Sequence, residues 1–171
     1  EIVLKQNGID VHTNTTIEEI ELKDNKISDI RLSNGATIPT DYLLMGIGGR
    51  PNTSLLASKG AETIRNGAVK VNERMETSLP DIYAAGDCAS IKNIQTGEHD
   101  YFPMGTHANK GGRAAGANAA GGNETFRGAY RTAIVKVFDY TLARTGFNPR
   151  ALKMMNREFD STFIVANSTP G

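Results

Sequence analysis

The 171 residues are 39% hydrophobic and 22% charged, with a formal net charge of zero from 19 basic and 19 acidic side chains. That balance gives no electrostatic footing for nucleic acid or a membrane surface, and no apolar run approaches the roughly 20 residues of a spanning helix. A single cysteine excludes an internal disulfide and points to a reducing compartment. The length permits one domain or parts of two, and 18 glycines mark a soluble, globular, glycine-rich α/β chain.

Glu1-Ile2-Val3-Leu4-Lys5-Gln6-Asn7-Gly8 reads as the closing turns of a helix stopped by Gly8, so the chain is expected to begin within a domain. A strand over 9–12 follows. Ile17, Ile20 and Leu22, then Ile27, Ile30 and Leu32, are separated by Lys23-Asp24-Asn25-Lys26, and Ser33-Asn34-Gly35 makes a second turn. Residues 15–39 are therefore expected to form an antiparallel meander. Glu18, Glu19, Glu21 and Lys23 read as its solvated face.

Tyr42-Leu43-Leu44-Met45 is the next apolar run, and Gly46-Ile47-Gly48-Gly49-Arg50-Pro51-Asn52 follows it. Gly46 and Gly48 have the spacing of a dinucleotide fingerprint, but the third glycine position falls on Pro51. A glycine turn opening a short helix over 53–59 is the structural reading. Arg50 reads as a surface or interdomain ion-pair residue. A short strand over 67–71 leads on to Thr77-Ser78-Leu79-Pro80-Asp81-Ile82-Tyr83-Ala84-Ala85-Gly86-Asp87-Cys88-Ala89.

Pro80 cannot sit in a central strand, so a buried strand is expected over 82–85, ending at Gly86 and Asp87. Small residues there let another molecule approach the backbone, and open α/β sheets bind cofactors at such strand ends. Asp87 can accept hydrogen bonds from sugar-like hydroxyls; taken locally, the same residues also fit a plain Asx-turn. Residues 91–101 read as an exposed loop.

Residues 105–121 are predicted to be helical, with Pro103 before the helix and Thr106 as its N-cap. Repeated glycines cost about 1 kcal/mol each relative to alanine, which argues for close approach along this helix. Its N-terminus, with free N–H groups and about half a positive charge, suits a group that becomes negative on reduction. Strands are expected within 130–147, a helix over 149–159 and a strand over 162–165. Cys88 reads as a small packed residue, Met154 and Met155 as core filler, and no residues have metal-ligand spacing.

Thr-x-x-Pro-x-Ile-Tyr-Ala-x-Gly-Asp resembles the second flavin-binding motif of the FAD-dependent pyridine nucleotide–disulfide oxidoreductases, and agreement in order extends over essentially the whole chain. The resemblance implies partial FAD- and NAD(P)H-binding Rossmann-like domains with a β-meander and the start of an α+β dimerisation domain. Residues 1–45 would close the NAD(P)H domain, 46–121 the FAD domain, and 122–171 would open the dimerisation domain.

By the same resemblance, Asp87 hydrogen-bonds the ribityl chain beside Gly86, while Gly105, with Thr106 and Ala108 on the same helix start, contacts FAD. Pro103 and Gly48 lie near the nicotinamide. His107 matches the Gly-x-His of coenzyme A–disulfide reductases, where it contacts coenzyme A. That subfamily has two tyrosines before a late Pro-Gly, where this chain has Ser168-Thr169 before Pro170-Gly171, which leaves disulfide, peroxide and oxygen acceptors open. The first Gly-x-Gly-x-x-Gly and the redox cysteine of the family have no counterpart here, so no catalytic residue is expected in the chain. The parent protein is expected to be a cytoplasmic homodimer. A non-enzymatic α/β module that binds a ligand or partner is the rival reading.

Overall fold

Two short loops decide the first part of the fold. Asp24 and Asn25 both take left-handed φ angles, 51° and 64°, the pattern of a tight hairpin turn. They join β1 (Ile17–Lys23) to β2 (Lys26–Leu32), and Gly35, at φ 84°, helps turn β2 into β3 (Thr37–Pro39). The three strands form an antiparallel sheet in the order β1-β2-β3. Register shifts between Ile17 and Glu19 and between Glu21 and Leu22 bulge the first strand. Arg31 bridges Glu18 and Glu19 on its surface, in keeping with the predicted solvated face.

The computed structural model describes residues 1–166. Within it the chain divides into two compact units, Glu1–Gly49 with Val137–Tyr140, and Arg50–Lys136 with the remainder. Before the meander, α1 (Ile2–Gln6) ends as expected near Gly8, which has φ 75°. Residues 9–12 carry no strand pairing, so the expected strand there does not form. The run after β3 is also irregular, with Tyr42 94% and Leu44 96% exposed.

In the second unit, α2 (Ser54–Ala57) is followed by β4 (Val69–Lys70), which pairs in parallel with β5 (Ala89–Lys92). Strand β6 (His99–Asp100) adds antiparallel to β5. Helix α3 (Gly105–Ala119) follows. Val69, Val71, Met75, Ala89, Ile91, Phe102 and Ala114 make one core, in which Met75 is 1% exposed. Met75 fills its space from a left-handed backbone position, φ 64°, and a Cβ on Gly111 would stand 3.0 Å from its Cε.

The expected loop over 91–101 is thus corrected. Ile91 and Asn93 are buried, and a hairpin closes through Asn93 N–H to the Glu98 carbonyl at 2.8 Å. Further along, Gly128 passes so close to the Lys92 carbonyl that no side chain fits between them. The Ala129 N–H donates to that same oxygen at 3.0 Å, and Asn93 and Ala129 form a parallel bridge.

The last elements are a hairpin of β7 (Ala133–Val137) and β8 (Tyr140–Arg144), then α4 (Pro149–Met154). Asn148 caps α4 by accepting the Ala151 N–H at 2.8 Å, and Pro149 occupies a first-turn position where its missing donor costs nothing. The helix stops five residues before the expected 159, and 162–165 is not a strand. Ser168-Thr169 and Pro170-Gly171 lie outside the described residues.

Candidate functional site

The buried strand expected over 82–85 is reduced to a single antiparallel bridge between Glu76 and Tyr83. Thr77 N–H donates to the Ile82 carbonyl and Ala84 N–H to the Met75 carbonyl, at 2.9 and 3.1 Å. Left-handed backbone at Met75 (φ 64°) and Asp81 (φ 60°) interrupts the extension needed to lengthen that pairing. Gly86, at φ 82°, then redirects the chain into a 3-10 turn over Gly86–Cys88, and the true strand, β5, begins only after Asp87.

The second half of the site is the start of α3. The helix begins at Gly105 with Met104 as an extended N-cap that supplies no side-chain hydrogen bond, so Thr106 is not the cap but a first-turn residue. The His107 N–H already bonds the Met104 carbonyl at 3.0 Å. Gly105 and Thr106, ahead of it, have no intrahelical acceptor and keep their N–H groups available. Both are exposed, as is Pro103 just before them.

The 3-10 turn and α3 pack against each other. A Cβ on Gly86 would lie 3.9 Å from the Ala108 Cβ, so the turn rests on the second turn of the helix at van der Waals distance. Asp87 stands exposed on that turn. The Tyr101 hydroxyl donates to the Asp87 carbonyl at 3.0 Å, and the Cys88 thiol donates to the Ala85 carbonyl at 3.2 Å. Burial, then the charges of Asp87 and Cys88, raise the Tyr101 pKa above its ordinary value and keep the phenol a donor. Cys88 is half-buried against the core, as a packed residue should be.

His107 lies between two rings, edge-on to Phe102 at 5.6 Å and tilted to Phe126 at 6.5 Å. Its Nδ1 is buried without a hydrogen-bond partner. Burial is the main cause that holds the imidazole pKa below its usual value; the Phe102 carbonyl opposes this and the Lys110 charge adds to it. A hollow of about 460 Å³ along α3 is lined by Lys110, Arg113, Ala117 and Phe126, and not by Asp87 or Gly105. The structure therefore packs the Gly86 turn, which carries the exposed Asp87, against Ala108 of α3, with Gly105 and Thr106 exposed on the first turn of that helix and His107 turned inward.

Gly48 belongs to the first unit, exposed at φ 85°. Sequence reasoning missed Tyr101, because nothing local marks a hydroxyl that bonds a carbonyl fourteen positions away.

At this junction an acceptor on the turn and donors at a helix start are both exposed. An exposed carboxylate can accept from hydroxyls, and free amides at a helix start can face a developing negative charge. No built cation site accompanies it, and among the described residues no group of acidic, cysteine or histidine side chains could hold a metal.

Residues 1–108 match the family described as pyridine nucleotide-disulphide oxidoreductase. The chain is 32% identical over 139 residues to an NAD(P)H sulfur oxidoreductase (CoA-dependent) of Pyrococcus furiosus, covering 81% of this chain and 31% of that protein. It is 36% identical over 143 residues to an NADH oxidase of Methanocaldococcus jannaschii, 84% of this chain and 31% of that protein. Among solved structures it resembles a FAD-dependent pyridine nucleotide-disulphide oxidoreductase from Desulfovibrio vulgaris, with a TM-score of 0.84 and 34% identity. That alignment covers 90% of this chain and 38% of the other. The chain thus spans about a third of the length of the curated relatives it matches, 31% in both cases above.

Proposed function

The chain belongs to the pyridine nucleotide-disulphide oxidoreductase family, and from that premise we propose that it is part of a longer flavoprotein passing electrons from NAD(P)H through FAD to a small acceptor. The observation that carries this reading is the junction itself: Asp87 exposed on a left-handed glycine turn that rests on the opening turns of α3. When bound, FAD supplies the electron chemistry. The chain's own residues bind and orient. Asp87 would accept from the ribityl hydroxyls, and the Gly105 and Thr106 amides would stabilise the negative charge the ring gains. Ala108 and Gly86 keep the contact thin, and Pro103 and Gly48 lie toward the nicotinamide.

In this reading residues 1–45 close the NAD(P)H domain, 46–121 the FAD domain, and 122–171 open a dimerisation domain of a cytoplasmic homodimer. The acceptor is a disulfide, peroxide or oxygen, and the names of the two relatives, a CoA-dependent sulfur oxidoreductase and an NADH oxidase, support a sulfur or oxygen acceptor within that set. By the resemblance His107 is the position that contacts the sulfur substrate, although in this chain its ring packs inward between Phe102 and Phe126. No helix among the described residues is long and apolar enough to cross a membrane. The 171-residue chain by itself would be inactive, since its one cysteine is a packed side chain.

Absorbance tests the reading. The protein at its natural length should purify yellow, and Asp87→Ala should lower its flavin content. A colourless preparation that takes up no added FAD would instead favour a non-enzymatic α/β module. Steady-state turnover with coenzyme A disulfide, peroxide and oxygen in turn would identify the acceptor. NADH consumption by the isolated chain with added FAD would overturn the expectation of inactivity.

A further inference from the structure

We infer that Tyr101 is a positioning residue for the Asp87 turn, and through it for the hydroxylated chain of a bound flavin. The inference rests on the flavin reading of the junction and assigns a role to a residue outside the motif.

The turn over Gly86–Cys88 needs such a restraint. It is only three residues long, opens on a glycine at φ 82°, and leaves Asp87 exposed. A glycine in that region is free to leave it, because its positive and negative φ basins are nearly equal in energy. Ala108 limits the turn on one side, and the Cys88 thiol makes only a weak hydrogen bond. The Tyr101 hydroxyl, 3.0 Å from the Asp87 carbonyl, fixes the peptide plane that follows Asp87. Fixing that plane also limits the direction in which the Asp87 side chain leaves the backbone.

Tyr101 is itself well anchored. Its N–H donates to Asp100 Oδ1 at 2.8 Å, and Asp100 receives two bonds of 2.8 Å from Arg131 and one of 3.0 Å from Asn93. A continuous line therefore runs from the Arg131 guanidinium through Asp100 and the Tyr101 ring to the turn. The phenol stays protonated at neutral pH, because burial and the nearby Asp87 charge raise its pKa.

The test is FAD titration of the flavin-free protein at its natural length, for wild type, Tyr101→Phe, Asp87→Asn and the double variant. Tyr101→Phe should weaken FAD binding up to about tenfold, because the freed turn must be re-ordered when FAD binds, at about the cost of the lost hydrogen bond. It should lower the melting temperature of the flavin-free protein by only a few degrees, leaving it folded at the titration temperature. In the Asp87→Asn background the same change should cost clearly less, because both act on one contact. Asp100→Asn, which loosens the anchor, should weaken FAD binding in the same direction. Wild-type affinity in Tyr101→Phe, a full additive loss in the double variant, or a loss that only follows a lowered melting temperature would each overturn the role. Wild-type protein that binds no FAD would refute the flavin reading itself, a distinct outcome.

Discussion

Asn118 and Glu124 are joined in both directions. The Asn118 side-chain amide donates to the Glu124 carbonyl, and the Glu124 N–H donates back to Asn118 Oδ1, each at 2.8 Å. The same amide donates to the Arg74 carbonyl at 2.8 Å, and Asn118 is 3% exposed. One buried side chain thus ties the last turn of α3 to the chain after it and to the loop before the Thr77–Asp87 stretch. Asn118→Ala removes three hydrogen bonds, to the half-buried Arg74 carbonyl and to the carbonyl and N–H of the exposed Glu124. We expect a loss of about 1–2 kcal/mol in urea unfolding.

The glycines of α3 divide into two kinds. Gly111 faces Met75, whereas a Cβ at Gly112 or Gly116 would meet nothing within 4 Å. Gly112→Ala and Gly116→Ala should each stabilise this chain by about 0.5–1 kcal/mol, through helix propensity alone. Gly111→Ala should gain clearly less than either, or lose up to about 1 kcal/mol, because the methyl group requires the Met75 Cε to give by a few tenths of an ångström. Thermal melts of the three variants check the contrast.

His107 gives the chain an acid-sensitive element. Its folded pKa lies below the ordinary imidazole value, mainly through burial. The unfolded chain therefore binds more protons than the folded one in the window between the two. Stability from this group is complete above about pH 6.5 and falls as the pH drops toward the folded pKa. His107→Phe keeps an aromatic ring between Phe102 and Phe126 and should remove that slope. Unfolding free energies measured from pH 7.5 downward, in wild type and variant, give the comparison.

Asp100 acts in a more acidic window. Burial alone would raise its pKa, but bonds from Arg131 and Asn93 and from the Tyr101 N–H outweigh that and lower it. Its contribution is present above the ordinary aspartate value of about 3.9 and is lost as the pH falls through the lower folded value. Arg131→Ala should destabilise the protein at neutral pH, with the difference from wild type shrinking as the pH falls below the ordinary aspartate value of about 3.9. Acid titrations followed by circular dichroism would measure it.

The meander was legible because its turns are chemical. Asp24-Asn25 and Asn34-Gly35 tolerate left-handed backbone, and the alternating isoleucines between them leave little other choice. Helix α3 was legible too, through Pro103 and its long run of small residues, although Met104 rather than Thr106 proved to be the cap. Ile82-Tyr83-Ala84-Ala85 misled. An apolar run predicts burial, but not whether a ladder partner of matching length is present, and here only Tyr83 finds one. Residues 91–101 misled in the opposite sense. Their polar side chains are satisfied by distant partners, such as Arg131 on Asp100, and a composition-based reading takes no account of such pairs.

The parallel pairing of Val69 with Ala89 also bears on the order of events in folding. Parallel neighbours cannot be closed by a tight hairpin, so the chain between them must be gathered up before the first ladder bond repays the lost freedom. The β1-β2-β3 meander carries no such delay, since each of its pairings lies across a short turn. Amide exchange during refolding should accordingly protect Ile20 and Ile30 before Val69 and Ser90, with the contact of the Gly86 turn with α3 among the last parts to take shape.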